Sequence, residues 1–385
     1  MKVKKILENE LEFIQKKFNE LYANIFRIHQ EHSNWFDALN KRQMRLERIM
    51  GVSDKAISFS PYYPNLDISP ACPEIYNKYG ERMEVFFISD REFNHVPNSI
   101  NSRYIYWDRY NYGLETHFYT QDEIFHTVGK PKRKFAALFE PPSIKPASYE
   151  NVLRNKDYIE KNFDAIFTYD ARILSAVKNA KFAPLAADVW YGKNLDGIMH
   201  DGSDAGFSVD GKPKENLANP AENYKHKTKD ISIVASQKKF TPMHAVRHKF
   251  AFKCKELPNV DTYGKFDGGN FVPMEVPLKE YRYSIVIENL VSPFYFSEKI
   301  CNCLAAQTIP IYIGATEIGR FFNPNGIISI RVEDFDRLEE ILSKCTPEEY
   351  ERRLPAVIDN FNRVQPLADH TRWDDIYVNY LKPKN

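Results

Sequence analysis

The chain has 385 residues, of which 43% are hydrophobic, and a formal net charge of +1 at pH 7. A chain of this length exceeds the size that one hydrophobic core usually serves, so two domains are expected. The near-neutral charge gives no general reason to expect nucleic acid as a partner. No stretch approaches the roughly 20 apolar residues that span a bilayer, and the start of the chain lacks the apolar region of a signal peptide. The five cysteines form no CxxC pair and are predicted to be reduced core thiols.

Residues 1–51 are predicted to form a helical extension. Apolar side chains recur there at helical spacing among Lys and Glu, at Ile6, Phe13, Ile14, Phe18, Leu21, Ile25 and Ile28. Such a segment can form a coiled pair, a homo-oligomer contact, a membrane-surface helix or a cap on the rest of the chain. The sequence does not choose between these alternatives.

Residues 52–192 are predicted to form a first α/β domain, because short apolar runs alternate with helical or polar stretches. The predicted strands are 56–60, 83–89, 104–107, 135–140 and 165–169. Residues 193–229 follow, rich in Gly, Asp, Asn and Lys, and are predicted to be a linker or an acceptor-side loop.

Residues 230–365 are predicted to form a second α/β domain. Its strands are expected at 231–235, 283–287 and 309–313, with a further one near Ile327 and helices between them. Residues 366–385 are predicted to form a helix that packs back across the two domains.

The stretch 283–314 is the most informative part of the chain. An apolar run stops at Asn289, an amphipathic helix that Ser297 can cap follows, and a second apolar run ends at Gly314. Strand, loop, helix and strand predict a right-handed βαβ unit, which binds ligands at the carboxyl ends of its strands. A helix N-terminus attracts phosphate, and Lys299 adds a full charge there. The alternative from these residues alone is a capped helix with a surface Glu–Lys pair.

These residues resemble a known motif. The letters EN, then a Tyr, then SEK and a strand TIPIYIG resemble the donor-binding signature of the family 10 glycosyltransferases, the α-1,3/1,4-fucosyltransferases, with the bacterial members closest. The resemblance is dense over 230–330, thinner over 134–191 and absent from the first fifty residues. The family usually has Ser or Thr where Leu290 stands, and Thr where Ser297 stands.

The resemblance implies a GT-B architecture, in which two Rossmann-like domains face a cleft. The C-terminal half would hold a GDP-sugar donor and the N-terminal half a glycan acceptor. Animal relatives carry a membrane anchor that this chain lacks, so a bacterial, cytoplasmic protein is expected. Peripheral attachment to the inner membrane through the helical extension is the alternative.

Glu140 is the candidate general base. It follows an apolar run and precedes Pro141 and Pro142, which end strand pairing. A carboxylate over an apolar floor in a cleft can take a proton from an alcohol. The bacterial relatives also carry a Glu at the end of the corresponding strand, as the proposed base. The alternatives are a turn-capping Glu140 paired with Lys145, and Asp170 as the base, although Asp170 also fits a helix N-cap.

Two cations are predicted to bind the departing diphosphate. The resemblance carries over an Arg three residues before a Phe, here Arg247 before Phe250, and a planar guanidinium suits phosphate oxygens. With Lys299 and a helix N-terminus, this charge would replace the metal that a DxD motif holds in other glycosyltransferases. No metal cofactor is therefore predicted to be required, although a divalent cation is compatible as a stimulator. The other candidates for the diphosphate are Lys238, Lys239 and His244, and the DxD triplet of Asp334 and Asp336 is expected to serve a helix start instead.

The resemblance implies the remaining donor contacts. Asn289, Tyr295, Glu298 and Lys299 would bind the nucleotide, Glu298 through ribose hydroxyls, and Glu288 would face the sugar. Gly268 and Gly269 lie in a Gly-rich stretch that resembles the family's and would let backbone approach the nucleotide.

The sequence thus predicts an inverting transferase that moves L-fucose, or a related sugar, from GDP to a glycan hydroxyl. One alternative keeps the fold and mechanism with another GDP-linked sugar, derived from mannose or heptose, in capsule synthesis. A second is a glycan- or nucleotide-binding protein without catalysis.

Overall fold

The computed structural model describes residues 83–88, 104–108, 111–184, 191, 220–270, 272–368 and 373–382. The predicted helical extension, the predicted strand 56–60 and most of the segment 193–229 lie outside these residues.

The first sheet lies in the N-terminal half of the described chain. All of its neighbouring strands pair in parallel, in the order β2-β1-β3-β4-β5-β6. The strands are β1 (Met83–Ile88), β2 (Ile105–Asp108), β3 (Thr116–Thr120), β4 (Arg133–Ala137), β5 (Ala165–Thr168) and β6 (Ala180–Phe182).

Both faces of this sheet are buried, and the strand sequences show why. Phe87 and Phe135 point into one apolar cluster, whereas Phe86 and Ala136, their chain neighbours, point into another. Successive side chains of a strand point to opposite faces, so a strand covered on both sides needs a continuous apolar run. The MEVFFI and KFAA runs provide it.

The second sheet is also parallel and has the order β11-β10-β9-β7-β8. Its strands are β7 (Lys229–Val234), β8 (Val260–Tyr263), β9 (Tyr281–Ile287), β10 (Ile309–Ile313) and β11 (Ile328–Ser329). Strand β10 has the predicted bounds, and β9 begins two residues earlier than predicted.

Helices connect the strands of both sheets. The first sheet has α1 (Pro146–Arg154), α2 (Lys156–Asn162) and α3 (Ala171–Ala176), and a 3₁₀ helix at Gln121–Phe125. The second has α4 (Pro242–Lys255), α5 (Glu275–Leu278), α6 (Glu298–Ala305), α7 (Leu338–Leu342), α8 (Pro347–Ala368) and 3₁₀ helices at Pro220–His226, Ile318–Arg320, Pro324–Gly326 and Val332–Arg337. Helix α9 (Trp373–Leu381) follows.

The sequence analysis missed three strands, β3, β6 and β8. Each is short and mixes polar with apolar residues, as in THFYT, AKF and VDTY. Their pairing with a neighbouring strand, rather than a local apolar run, fixes their conformation.

Helix α9 packs on the first sheet. The Tyr377 ring lies 5.1 Å from that of Phe118 and 4.9 Å from that of Phe167, centroid to centroid. Arg133 of β4 donates hydrogen bonds to the carbonyls of Tyr380 and Leu381. The predicted boundary at residue 366 falls inside α8, so the returning helix begins later than predicted.

The end of the predicted linker belongs to the second domain. Asn223 Nδ2 donates to the carbonyl of Ala306 at 2.6 Å. The buried Lys227 Nζ donates to the carbonyls of Leu278 and Ala306 and to Thr308 Oγ1. These contacts tie the segment before β7 to the helices of the second sheet.

The carboxyl ends of strands from both sheets meet. Ser143, which follows β4, donates from its Oγ to the carbonyl of Asn289, just after β9, at 3.0 Å. The rings of Tyr169, just after β5, and Tyr295 lie 5.2 Å apart. Two Rossmann-like domains whose strand ends face each other form the predicted GT-B arrangement.

Cys254, Cys301, Cys303 and Cys345 are buried free thiols, as predicted, and Cys72 lies outside the described residues. Among the helices that the structure describes, none combines the length and the apolar composition that a membrane crossing requires.

Candidate functional site

The donor-side site is built around the end of strand β9. Its first element is Glu288, which is fully buried. The Glu288 carboxylate accepts hydrogen bonds from the backbone N–H of Ser297 at 3.0 Å and from its hydroxyl at 2.6 Å. Burial raises the pKa of this carboxyl, and Lys299, whose Nζ lies 4.0 Å away, opposes the rise. Glu288 therefore fixes the start of helix α6, and its predicted contact with the sugar stays a prediction.

Gly314, at the end of β10, makes room for this carboxylate. A Cβ at Gly314 would lie 2.3 Å from the Tyr312 hydroxyl and 2.6 Å from Glu288 Cγ. No side chain fits between these groups, so the glycine that ends the TIPIYIG stretch serves the packing of Glu288.

Helix α6 begins where the sequence predicts. The Ser297 hydroxyl accepts from the backbone N–H of Lys299 at 3.3 Å, which is an N-cap contact. Lys299 Nζ lies 2.7 Å from Glu298 Oε1, and both side chains are largely buried, with exposures of 27% and 21%. The pair is therefore a partly enclosed ion pair at a helix N-terminus and not the solvated surface pair of the alternative reading.

Arg247 links helix α4 to the end of β9. Thr241 caps this helix, and Pro242 occupies its first turn. Arg247 Nε donates to the carbonyl of Ile287 at 2.9 Å, and its Nη2 donates to Asn289 Oδ1 at 2.8 Å. The side chain is 6% exposed, and burial lowers its pKa while nearby carboxylates, Glu288 first, oppose this. The structure therefore brings Arg247 and Asn289, two of the predicted donor-side residues, together at the end of β9.

Tyr295 closes the donor side toward the first sheet. Its side chain is buried, and its hydroxyl makes no hydrogen bond to the part of the chain that the structure describes. Burial raises its pKa, with the charges of Glu288, Glu298 and Glu140 adding to the rise.

Glu140 is half-buried at the carboxyl edge of the first sheet. The Tyr149 hydroxyl lies 2.7 Å from the Glu140 carbonyl, and the Tyr169 hydroxyl lies 3.0 Å from the carbonyl of Phe139. The two hydroxyls are also 2.9 Å apart. Each hydroxyl carries one proton, so the two tyrosines can donate only two hydrogen bonds among these three contacts. Sequence reasoning missed Tyr149 and Tyr169. The only local signal was the position of Tyr169 at a strand end.

Asp170 has a structural position. Its Oδ1 accepts from the backbone N–H groups of Arg172 and Ile173, which makes it the N-cap of α3. Its Oδ2 also pairs with Arg172 Nη2 at 2.9 Å. Lys145 Nζ lies 3.6 Å from Asp122 Oδ2, and its alternative pairing with Glu140 stays a prediction.

Gly268 and Gly269 lie in the turn after β8. Gly268 has a φ of +90°, and a Cβ at Gly269 would lie 2.6 Å from the carbonyl oxygen of Gly264. Gly264 itself has a φ of +100° and packs on the Ala235 carbonyl, where a Cβ would approach to 2.2 Å. The turn geometry alone requires these glycines, and their predicted contact with a nucleotide stays a prediction.

The DxD triplet serves the helix start predicted for it. Asp334 Oδ2 accepts from the backbone N–H of Arg331 at 2.8 Å, at the start of the 3₁₀ helix Val332–Arg337. Among the described residues, no three His, Cys, Asp or Glu side chains are grouped so that they could hold a metal ion.

Residues 224–349 match the family model described as glycosyltransferase family 10 (fucosyltransferase) C-term. A stretch of the chain is 32% identical over 65 residues to the alpha-(1,3)-fucosyltransferase FucT of Helicobacter pylori. That stretch spans 17% of this chain and 13% of the relative.

This chain is similar in structure to two solved proteins, described here in turn. An alpha1,3-fucosyltransferase crystal structure with GDP-fucose has a TM-score of 0.44 and 16% identity, covering 76% of this chain and 91% of that one. The apo structure of OtsA has a TM-score of 0.43 and 10% identity, covering 71% of this chain and 73% of that one.

The segment that matches the family 10 model includes the EN and SEK motifs on which the predicted resemblance depends. The segment contains every donor-side residue from Arg247 to Lys299. Glu140 lies outside it, so its role depends on the geometry of the first sheet.

Proposed function

We propose that this protein transfers L-fucose, or a closely related sugar, from a GDP donor to a hydroxyl group of a glycan, with inversion at the anomeric carbon. The observation that carries the proposal is the grouping of Arg247, Asn289, Tyr295, Glu298 and Lys299 at the end of β9, within a family 10 segment. Parallel sheets bind nucleotides at this edge.

The cations would bind the diphosphate. Lys299 lies in the first turn of α6 and Arg247 in the second turn of α4, near helix N-termini that carry partial positive charge. Negative charge builds on the leaving GDP as the glycosidic bond breaks, and fixed cations in an enclosed site stabilise it. Lys299 would exchange its contact with Glu298 for phosphate oxygens, leaving Glu298 to accept ribose hydroxyls.

Glu140 would accept the proton of the acceptor hydroxyl. The oxygen then attacks the anomeric carbon from the face opposite GDP, which inverts the configuration. Two features support this role: Glu140 follows β4 at the sheet edge that meets the donor side, and its charge is among those that raise the pKa of Tyr295. The tyrosine hydroxyls of the first sheet hold the Glu140 backbone.

The test is a panel of nucleotide sugars. The full chain is incubated with GDP-fucose, GDP-mannose, a GDP-heptose and UDP-glucose, and nucleotide release is measured with and without glycan acceptors. Release from GDP-fucose, absent in the Arg247→Ala variant, supports the proposal. NMR of the product anomer then decides inversion. If another GDP-sugar is the only donor that is turned over, that sugar replaces fucose in the proposal. If donors bind but none is turned over, the protein is non-catalytic.

The proposal includes no required cofactor, a glycan acceptor such as surface polysaccharide, and a cytoplasmic location in a bacterium. A contact of residues 1–51 with a membrane or a second copy stays a prediction, since that segment lies outside the described residues.

A further inference from the structure

Gln121 follows strand β3 at the carboxyl edge of the first sheet, in a strained backbone conformation. Its φ is +49°, in the left-handed region that residues other than glycine rarely adopt. Its side chain is polar and yet only 2% exposed. Such strain persists only where the surrounding structure holds the residue in place, and strained residues are concentrated at functional sites.

One end of the Gln121 amide is hydrogen-bonded and the other is not. Its Oε1 accepts from the backbone N–H of Phe139 at 2.6 Å. A peptide nitrogen donates, so the bonded atom is the amide oxygen, and the amide nitrogen points elsewhere. That atom, Nε2, is buried and has no hydrogen-bond partner among the residues that the structure describes. A buried donor without a partner costs free energy, and native proteins keep few of them.

The bond to Phe139 holds the backbone directly before the proposed base. Phe139 and Glu140 lie beyond the end of β4. Gln121 bonds the Phe139 N–H, and the Tyr169 hydroxyl lies 3.0 Å from the Phe139 carbonyl. The Tyr149 hydroxyl lies 2.7 Å from the carbonyl of Glu140. Side chains therefore replace the strand ladder as the restraint on these peptide groups.

We propose that Gln121 is a positioning residue for the transfer and that it acts through Glu140. Its amide oxygen fixes the Phe139 peptide, and with it the direction in which the Glu140 side chain leaves the strand end. The same bond dictates how the amide is turned, which leaves Nε2 without an acceptor. Misplacement of a reacting group by about 1 Å can lower a rate about 100-fold, so a fixed peptide here favours turnover at a cost in stability. This rests on the proposed function, because it assigns a further residue to the same reaction.

The test compares Gln121→Met with Gln307→Met. Methionine keeps the length of the side chain and has no amide oxygen for Phe139. Gln307 is a matched control because it is also buried, has a φ of +55°, and accepts from the backbone N–H of Tyr224 at 2.7 Å. It precedes β10 and therefore lies at the amino end of that strand, away from the site.

Two measurements give turnover and donor affinity: GDP release from GDP-fucose with glycan acceptors, and calorimetry with GDP. Gln121→Met should lower turnover about 10–100-fold and leave GDP affinity unchanged. Gln307→Met should lower the unfolding midpoint and leave turnover and GDP affinity unchanged. In a Glu140→Gln background, Gln121→Met should lower turnover by less than about twofold, because a residue that acts through Glu140 has no further effect once that carboxylate is gone.

Gln121→Asn tests the same contact without relying on the methionine variant to fold. Asn adopts the left-handed region more readily than most residues, so the backbone strain is smaller. Its amide is one methylene shorter, and its oxygen no longer reaches the Phe139 N–H. Turnover should therefore fall about tenfold or more, although the unfolding midpoint is no lower than that of Gln121→Met.

The outcomes separate the two proposals. Turnover in Gln121→Asn and Gln121→Met equal to that of the unaltered protein overturns the role of Gln121 and leaves the proposed transfer standing. An equal fall in turnover with and without the Glu140 carboxylate also overturns it, because Gln121 then does not act through Glu140. A loss of GDP affinity that matches the loss of turnover overturns it as well. If the unaltered protein turns over no GDP-sugar, both proposals are wrong.

Discussion

The two strand edges that meet in this protein are built from different chemistry. At the end of β9, charged side chains hold one another and the backbone, as Arg247 does with Ile287 and Glu288 with Ser297. At the ends of β4 and β5, the neutral hydroxyls of Tyr149 and Tyr169 contact backbone carbonyls. Arg172, on helix α3 next to the first sheet, forms ion pairs with Asp170 and Glu150.

The difference fits the two tasks proposed for these edges. A diphosphate carries fixed negative charge, so cations already held at the strand end can bind it, with the exchange of the Lys299–Glu298 contact as the one proposed rearrangement. A general base must change its protonation state, and a cation bonded to it would lower its pKa and weaken it. The hydroxyls of Tyr149 and Tyr169 hold the backbone at Glu140 and are themselves neutral.

The largest expected effect is on the base. Glu140→Gln should lower turnover by roughly 10²–10⁴-fold, because the amide cannot accept the acceptor's proton. GDP affinity, measured by calorimetry, should stay unchanged, since the cations lie on the other edge. Glu150→Gln, on the exposed face of α1, is the control. If Glu140→Gln turns over at a rate near that of the unaltered protein, Glu140 is not the general base. The task proposed for the edge of the first sheet is then wrong.

The donor-side cations come next. Arg247→Ala and Lys299→Ala should each weaken GDP binding by about 1.5–3 kcal/mol, the range for hydrogen bonds to charged groups. Arg247→Ala should also lower the free energy of unfolding by about 1–3 kcal/mol, because it leaves the Ile287 carbonyl unpaired. Lys299→Ala should lower the free energy of unfolding by less than Arg247→Ala does.

The exposed residues Arg352 and Lys344, which make surface ion pairs, provide matched alanine controls. Calorimetry with GDP and chemical denaturation of the same samples give both quantities. Unchanged GDP affinity in both site variants would mean that the nucleotide binds elsewhere, and the proposed donor site would be wrong.

The tyrosine frame should give a smaller effect. Tyr149→Phe and Tyr169→Phe each remove one hydroxyl and should cost about 0.5–1.5 kcal/mol of unfolding free energy. Turnover should fall with unchanged GDP affinity, because the hydroxyls hold the Glu140 backbone and not the donor. Tyr158→Phe, at a residue with 37% exposure, is the control. A loss of GDP affinity without loss of turnover would contradict the division between the edges.

The smallest expected effect is that of chelator. Two cations and two helix N-termini are proposed to balance the diphosphate, so transfer should continue in EDTA, at most at a reduced rate. Stimulation by manganese is compatible, because an ion can assist release of GDP. Complete loss of activity that one specific ion restores would contradict this electrostatic account of the donor edge.

The sequence predicted the second sheet best, for a physical reason. Strands β9 and β10 are buried on both faces and therefore appear as apolar runs. The Ser297 cap and the EN and SEK motifs are local, so spacing alone locates them. Strand β8 is short and half polar, and it was missed because its conformation depends on pairing with β7.

The parts of the site that could not be predicted depend on contacts between distant segments. Glu288 follows an apolar strand and looks like a side chain that faces a ligand. It is enclosed because Ser297 and Gly314 close over it. The partners of Tyr149 likewise follow from the folded backbone and leave no sequence pattern.

Helix α9 has a consequence for the order of folding. It covers the first sheet by packing Tyr377 on Trp107, Phe118 and Phe167, although it begins at residue 373 and the last strand of that sheet ends at residue 182. During synthesis at about 5–20 residues per second, this aromatic face must wait for the whole second domain to be made. The first domain is therefore completed last, and a chain that stops after α8 should expose an aromatic surface prone to aggregation.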